Sequence, residues 1–96
     1  MKIYISLPIT GHDIEQVEAR SIFTAAMLRE QGHTPISPLE IDHRDPQDYE
    51  AVIGTDITAL LCCDAVYLCK DWETSRGCRL EYQAAKIYGK EIILEQ

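Results

Sequence analysis

A chain of 96 residues is long enough for one hydrophobic core but too short for a second substrate-binding domain, so we expect a single domain over residues 1–96. A complete site is then expected to need a neighbouring copy, in a homodimer or a larger homo-oligomer. Hydrophobic residues make up 46% of the chain, as in ordinary soluble globular proteins, and no apolar run approaches the roughly 20 residues of a membrane span. The formal net charge of −7 argues against a nucleic-acid partner, because such binding depends on Lys and Arg that neutralise phosphates.

The start of the chain predicts a cytoplasmic protein, because Met1 leads directly into a strand-like run over residues 2–5 without the pattern of a signal peptide. The four cysteines include no Cys-x-x-Cys pair and no histidine at zinc spacing, so free thiols and no metal site are expected. The three histidines, His12, His33 and His43, lie in loop-like positions and are interpreted as surface or capping residues.

The first half of the chain alternates between strand-like and helix-like segments. An extended run, Lys2–Ser6, is followed by a loop over residues 7–11 that contains Pro and Gly, and then by a helix-like stretch that ends at Gln31. Residues 34–37 are predicted to form a second strand. The polar segment over residues 38–48 is predicted to be an exposed loop that is able to act as a flap.

The second half repeats the alternation. A helix is predicted over residues 49–63, a third strand over residues 64–68 and a loop over residues 69–74. A further helix over residues 75–88 and a last strand, Glu91–Leu94, complete the chain.

This alternation predicts an α/β fold. We expect a small doubly wound, Rossmann- or flavodoxin-like parallel sheet of four strands in the order 2-1-3-4, with helices on both faces. Ligands of such sheets bind at the carboxyl ends of the strands beside the point where the strand order reverses. In this chain that point lies between the first and third strands, where the loops over residues 7–11 and 69–75 are expected to meet.

Two carboxylates fall within the apolar faces of predicted helices. A step of about 100° per residue places Glu81 among the apolar residues of the last helix and Asp56 among those of the preceding one. Because burial of an unpaired carboxylate is costly or raises its pKa, two such acids in a short chain predict a site where both face one cavity. The other interpretation is that each is satisfied by a helix cap or by an arginine such as Arg20 or Arg79.

Together with these acids, Tyr4 and Ser75 form a set that suits cleavage of a glycosidic bond. In retaining glycosyl chemistry an ionised carboxylate attacks the anomeric carbon, and a second, protonated carboxylate assists the leaving group. Glu81 is the candidate nucleophile. Ser75 and the free N–H groups near Gly77 mark the positive end of a helix, which favours a phosphate or a sugar hydroxyl.

Three sequence elements resemble motifs of the nucleoside 2-deoxyribosyltransferase-like superfamily, in particular a bacterial and phage branch near the deoxynucleoside 5′-monophosphate N-glycosidases. Residues 3–11, IYISLPITG, resemble the Tyr-x-x-Gly-Pro loop of that superfamily. Asp56 followed by Asp64 resembles its Asp-x7-Asp element, and residues 75–81, SRGCRLE, are similar to the helix that carries its nucleophile. The resemblance extends over essentially the full length.

The resemblance implies a role for each acidic residue. Glu81 is expected to attack C1′, Asp56 to handle the proton on the departing base, and Tyr4 to orient the nucleophile. In the transferases the position six before the nucleophile is an Asp that meets the sugar 5′-hydroxyl, and in the monophosphate hydrolases it is a Ser that meets the 5′-phosphate. The serine at this position, Ser75, favours hydrolysis of a nucleoside 5′-monophosphate, with deoxyribosyl transfer as the related reaction.

Further candidates for contact with a nucleoside or nucleotide come from the first loop and from the residues around the start of the last helix. They are Ser6, Pro8, Ile9, Thr10, Gly11, Trp72, Ser75 and Gly77. The indole of Trp72 is able to stack on a nucleobase or to pack within the protein. No cofactor is expected.

Two alternatives stay open. Leu7 occupies the position of the family's loop glycine, so a branched side chain stands where a ligand approaches the backbone. This departure is compatible with a non-catalytic nucleotide-binding module of the same fold. The Ser, Thr and Gly residues that follow the first strand are also compatible with a flavodoxin-like protein that binds flavin mononucleotide.

Overall fold

Strands and helices alternate along the whole chain, as the sequence pattern predicts. The computed structural model describes residues 1–96. Its four strands and three α-helices are β1 (Lys2–Ser6), α1 (Ile14–Glu30), β2 (Thr34–Ile36), α2 (Tyr49–Leu61), β3 (Ala65–Leu68), α3 (Arg76–Ile87) and β4 (Glu91–Leu94). Each helix is too short or too polar to pass through a lipid bilayer.

All four strands are parallel and lie in the order β2-β1-β3-β4. Tyr4 in β1 is in register with Ile36 in β2 and with Val66 in β3. The predicted fold class and strand order are therefore confirmed. The order reverses between β1 and β3, so the carboxyl ends of these two strands frame the expected crevice.

The alternation of side chains along β1 divides the core into two layers. Ile3 and Ile5 pack with the buried face of α1, on one side of the sheet. Tyr4 points to the other side and packs with Leu60 of α2 and with α3. Since side chains alternate along a strand, Ser6 shares the face of Tyr4. One strand thus delivers two polar side chains to the layer that holds α2 and α3.

The buried stripe of α3 is narrower than the sequence pattern predicts. Its buried residues are Cys78, Glu81 and Ala85, spaced as one side of a helix. Two other apolar residues of this helix, Leu80 and Ile87, are exposed. The reason is that α3 packs mainly against α2, β3, β4 and the turn before it, on the side that carries Cys78, Glu81 and Ala85.

Two of the predicted loops contain short helices. Residues 38–48 begin with a 3-10 helix, Pro38–Glu40, whose first turn is capped by Ser37, the Oγ of which accepts a hydrogen bond from the N–H of Leu39 at 3.2 Å. This segment is not wholly exposed, because Pro38 is buried and His43 is half-buried. A second 3-10 helix, Trp72–Thr74, precedes α3.

Candidate active site

Glu81 lies in the buried stripe of α3 with both carboxylate oxygens occupied. The Oη of Tyr4 donates to Oε2 at 2.7 Å, and the Oγ of Ser6 donates to Oε1 at 2.7 Å. Both donors come from the same face of β1, and Glu81 is 5% exposed. The strand therefore fixes the orientation of the carboxylate from two sides.

The surroundings of Glu81 raise the pKa of its carboxyl group into the neutral range. Burial raises the pKa of Glu81 to about 7, opposed by the hydrogen bonds from Tyr4 and Ser6, while the charge of Asp56 adds to the increase. Burial and the neighbouring carboxylates raise the pKa of Tyr4, so its hydroxyl keeps its proton and remains a donor. An ionised Glu81 is thus available near neutral pH and is held by two hydroxyl groups.

Asp56 lies on α2, 6% exposed, and its hydrogen-bond partner is His43. The Nε2 of His43 is 2.7 Å from Oδ1 of Asp56. Oδ2 of Asp56 makes no hydrogen bond within the protein, yet every fully buried side-chain polar atom has a partner, so Oδ2 is accessible from the cavity that Asp56 lines. Burial raises the pKa of Asp56, and His43 opposes that increase.

The interpretation of His43 as a surface or capping histidine is therefore wrong. Its side chain is 16% exposed and contacts the carboxylate of Asp56. Neither a helix cap nor an arginine bonds to Asp56, so the alternative interpretation, in which one of these groups satisfies its carboxylate, does not hold for this residue. The loop over residues 38–48 has no periodicity that marks an inward-pointing side chain, so the sequence carried no signal for this contact.

Asp56 and Glu81 line one cavity of about 130 Å³ at the carboxyl end of β1. Its walls come from the first loop, from the start of the segment after β2, from one face of α2 and from the start of α3. The other lining residues are Leu7, Ile9, Thr10, Pro38, Tyr49, Val52, Ile53, Ser75, Gly77 and Cys78. The two acids therefore face a common space, as the sequence pattern predicts.

Four of the predicted ligand contacts are on this lining: Ile9, Thr10, Ser75 and Gly77. Tyr4 and Ser6 lie behind Glu81 and reach the cavity through its carboxylate. Tyr49 was missed as a lining residue. It lies seven positions before Asp56 on the same face of α2, a helical spacing from which it could have been found.

The structure does not bring three other predicted residues to the cavity lining. Pro8 is buried, while Gly11 is exposed in a turn with a φ of 83°. Trp72 packs on Tyr82 with ring centroids 4.9 Å apart and joins the core between the sheet and α3. The packing alternative for the indole is the one that the structure shows.

A polar recess adjoins the cavity at the N-terminus of α3. Thr10, Tyr49, Ser75 and Gly77 border both spaces, and Arg76 and Thr74 complete the recess of about 240 Å³. The Oγ of Ser75 accepts a hydrogen bond from the N–H of Cys78 at 3.2 Å, which leaves the hydroxyl proton free to be donated. A hydroxyl, a guanidinium group and a helix N-terminus at one place favour an anion.

The arrangement offers acid, base and nucleophile chemistry. One buried carboxylate has both oxygens held by hydroxyl donors, and the other presents a free oxygen to the same cavity. Two carboxylates with distinct environments are the pattern by which a site divides acid and base roles between two residues. No three His, Cys, Asp or Glu side chains converge where they could hold a metal ion.

The fold is that of the nucleoside 2-deoxyribosyltransferases. The structure is similar to the 2-deoxyribosyltransferase of Bacillus psychrosaccharolyticus, with a TM-score of 0.75 and 23% identity over 98% of this chain and 71% of that one. The 2-deoxyribosyltransferase of Leishmania mexicana gives a TM-score of 0.75 and 21% identity over 97% of this chain and 62% of that one. The Clostridium botulinum CMP N-glycosidase BcmB gives a TM-score of 0.66 and 19% identity over 98% and 70% of the two chains.

At the level of sequence, residues 1–94 match the model of the family described as Domain of unknown function (DUF4406), and the chain belongs to that family. No curated protein matches the sequence significantly. The chain spans 62% to 71% of the length of the three enzymes whose fold it shares.

Proposed function

We propose that the protein cleaves the N-glycosidic bond of a nucleoside 5′-monophosphate through a covalent glycosyl intermediate on Glu81, with water or a second base as acceptor. The observation that carries the proposal is the pairing of the two acids: Glu81, fixed by Tyr4 and Ser6, and Asp56, with a free oxygen, line the same cavity. Two enzymes of this fold are described as 2-deoxyribosyltransferases and one as a CMP N-glycosidase, which supports the reaction class.

In the first step Glu81 acts as the nucleophile. A carboxylate oxygen of Glu81 forms a bond to C1′ while the bond between C1′ and the base nitrogen breaks, and the bonding pair leaves with the base. The hydrogen bonds from Tyr4 and Ser6 hold the carboxylate in its attacking orientation and favour its ionised form. Protonated Asp56 gives its proton from Oδ2 to the departing base, because only that oxygen is free.

In the second step the roles reverse. A water molecule, or the nitrogen of another base, attacks C1′ and releases the Glu81 carboxylate. Asp56, now ionised, accepts the proton that this nucleophile loses, which restores the starting state. Burial raises the pKa of Asp56 above its usual value, which favours the protonated form that the first step needs.

The 5′-phosphate fits the recess beside the cavity. Ser75, Arg76 and the first N–H groups of α3 border that recess, and all of them favour an anion. The cavity of about 130 Å³ is smaller than the roughly 300–1,000 Å³ of whole-ligand pockets, so it suits the sugar ring, with the phosphate and the base extending outward.

A second candidate function is a nucleotide-binding module without catalysis. Leu7, the residue in place of the family's loop glycine, lines the cavity and is 4% exposed, so its side chain takes up space next to the expected sugar. The experiment that tests the first proposal also separates the two.

The test is base release from a panel of nucleosides and their 5′-monophosphates, followed by chromatography. We expect free base from at least one monophosphate and little from the matching nucleoside. Glu81→Gln, which keeps the size of the side chain, is expected to lower turnover on the order of 10³-fold or more. The matched control is Glu73→Gln, the same change at an exposed position outside the cavity, which should retain the wild-type rate.

Two results would contradict the mechanism: turnover that Glu81→Gln leaves unchanged, or no base release across the panel. Calorimetric binding of a monophosphate without base release would select the binding module. Intact-protein mass spectrometry of a rapidly quenched reaction should show one glycosyl adduct, absent from Glu81→Gln.

A further inference from the structure

We propose that His43 is a positioning residue that holds Asp56 so that its free oxygen delivers a proton to the departing base, and that stabilises the carboxylate left behind. This inference rests on the proposed function. It extends the site by a residue from the segment after β2, which no sequence motif marked.

The contrast between the two acids supports a specific role for His43. Glu81 accepts hydrogen bonds from two hydroxyl groups, neither of which is able to carry a positive charge. Asp56 has an imidazole instead, with Nε2 2.7 Å from Oδ1. The side chains of His43 and Asp56 are 16% and 8% exposed, so the contact is shielded from water. A hydrogen bond to a charged group is stronger in such a shielded place than in water.

The geometry assigns the two oxygens of Asp56 to different tasks. Oδ1 is held by His43, which restricts rotation of the carboxyl group, and Oδ2 is accessible from the cavity. When the proton on Oδ2 passes to the base nitrogen, Asp56 becomes a carboxylate and the N–H at Nε2 of His43 donates to it. The proton returns to Asp56 from the acceptor nucleophile in the second step, so His43 need not lose or gain a proton during a turnover.

The groups around His43 and Asp56 predict how the pH dependence of the reaction changes when His43 is replaced. Glu81 on α3 and Tyr4 on β1 face Asp56, and the exposed Asp42 and Arg44 flank His43 in its loop. His43 lowers the pKa of Asp56 against the effect of burial. Removal of the imidazole should therefore raise the pKa of Asp56, weaken it as an acid and move the pH optimum of kcat/KM upward.

The experiment compares His43→Ala with His43→Gln, whose amide nitrogen is able to replace Nε2 as a neutral donor. His33→Gln is the matched control, because His33 precedes β2 at the opposite end of the sheet. Each variant is assayed with the monophosphate that releases most base in the panel. The second substrate is an analogue with a better leaving group, N7-methylated for a purine or 5-fluorinated for a pyrimidine.

We expect His43→Ala to lower kcat by about 10- to 100-fold with KM changed less than about threefold, because part of the general-acid contribution is lost. The loss should shrink at least fivefold on the activated analogue, whose base departs with less need for a proton. His43→Gln should recover kcat to within about fivefold of the wild type, and His33→Gln should match the wild type.

A purely structural role would reduce the rates of both substrates equally. The inference is overturned if the loss in His43→Ala is the same for both substrates, if its pH optimum stays in place, or if His43→Gln is as impaired as His43→Ala. Should wild-type protein release base and His43→Ala behave identically, the inference alone fails. Should the wild type release no base from either substrate, the proposed function fails and the inference fails with it.

Discussion

Glu81 and Asp56 are buried to nearly the same extent, yet their partners differ in kind. Two hydroxyl donors hold Glu81, which suits a carboxylate that must stay ionised and oriented. A single imidazole holds Asp56 and leaves one oxygen open to the cavity, which suits a group that gives and takes a proton. The proposed roles of nucleophile and acid therefore rest on the hydrogen bonds, since burial alone does not separate the two residues.

Ser75 offers a test of the 5′-phosphate at the level of one residue. Ser75→Asp keeps a side chain that caps α3 but places a negative charge beside the recess. Like charges in close contact cost several kcal/mol, and about 1.4 kcal/mol corresponds to a tenfold change. We expect kcat/KM for the 5′-monophosphate to fall at least about tenfold, with a smaller change for the nucleoside, measured by base release.

Ser75→Asn is the control for this prediction, because it also caps a helix and adds no charge. It should retain more kcat/KM for the monophosphate than Ser75→Asp does. Equal losses in the two variants would show that the shape of the side chain, and not its charge, matters at this position.

The sequence predicted the two acids and missed the residue that holds one of them. Glu81 and Asp56 were recognisable because a charge on an apolar helical face breaks a strong periodic pattern. His43 lies in an aperiodic segment, where nothing in the sequence separates an inward from an outward side chain. For Trp72 the sequence suggested a ligand contact that the structure does not show. An indole is able to stack on a nucleobase, but this one packs on Tyr82.

At the scale of the elements, β1 and α3 together position Glu81, the proposed nucleophile. The alternation of β1 sends Tyr4 and Ser6 to one face, and the capped start of α3 sets the position of Glu81 along its helix. The bounds of β1 and β4 agree with the prediction, and α3 is one residue shorter at each end than predicted because Ser75 and Tyr88 are its caps. The pattern of residues locates such elements well, but the caps decide their last residues.

A substitution at Gly77, at the start of α3, is expected to affect stability and ligand binding in different ways. A Cβ at Gly77 would lie 3.4 Å from Cδ1 of Ile53 and 3.7 Å from the Tyr49 hydroxyl, which are ordinary contacts, so the fold tolerates an alanine. Alanine also favours helix by up to about 1 kcal/mol over glycine. We expect Gly77→Ala to unfold at an equal or higher denaturant concentration while its kcat/KM falls, because the methyl group occupies the cavity.

Gly54→Ala is the matched control on α2. A Cβ at Gly54 meets no atom within 4 Å, and the residue does not line the cavity, so this variant should gain stability with no change in kcat/KM. Loss of activity in both variants would point to helix rigidity as the cause. Retained activity in Gly77→Ala would remove Gly77 from the ligand contacts.

At the scale of the whole molecule, the sheet separates an apolar core on one face from the candidate active site on the other. The α1 face of the sheet holds an apolar cluster that includes Ile3 and Ile5, while the opposite face carries both acids. The strand order was predictable from the alternation of elements alone. How closely the segment after β2 lies against α2 was not, since that depends on contacts between residues far from any periodic pattern.

The buried acids make the stability of the whole protein depend on pH. The pKa of Glu81 rises from 4.5 to about 7 on folding, so the folded state binds more protons than the unfolded state between these values. The free energy of unfolding should therefore fall as the pH rises through this window, by at most about 3 kcal/mol from this group. Burial also raises the pKa of Asp56, which acts in the same direction.

Glu81→Gln removes the titrating group and keeps its shape. The variant should therefore gain free energy of unfolding relative to the wild type only as the pH rises. Urea denaturation at about pH 4 and about pH 8.5 should show the difference in unfolding free energy growing in favour of the variant by up to about 3 kcal/mol. The same change at the exposed Glu18 on α1 should give a difference that does not vary with pH. A constant difference for Glu81→Gln would mean that the folded protein accommodates the charged carboxylate at no cost, and that Tyr4 and Ser6 alone offset its burial.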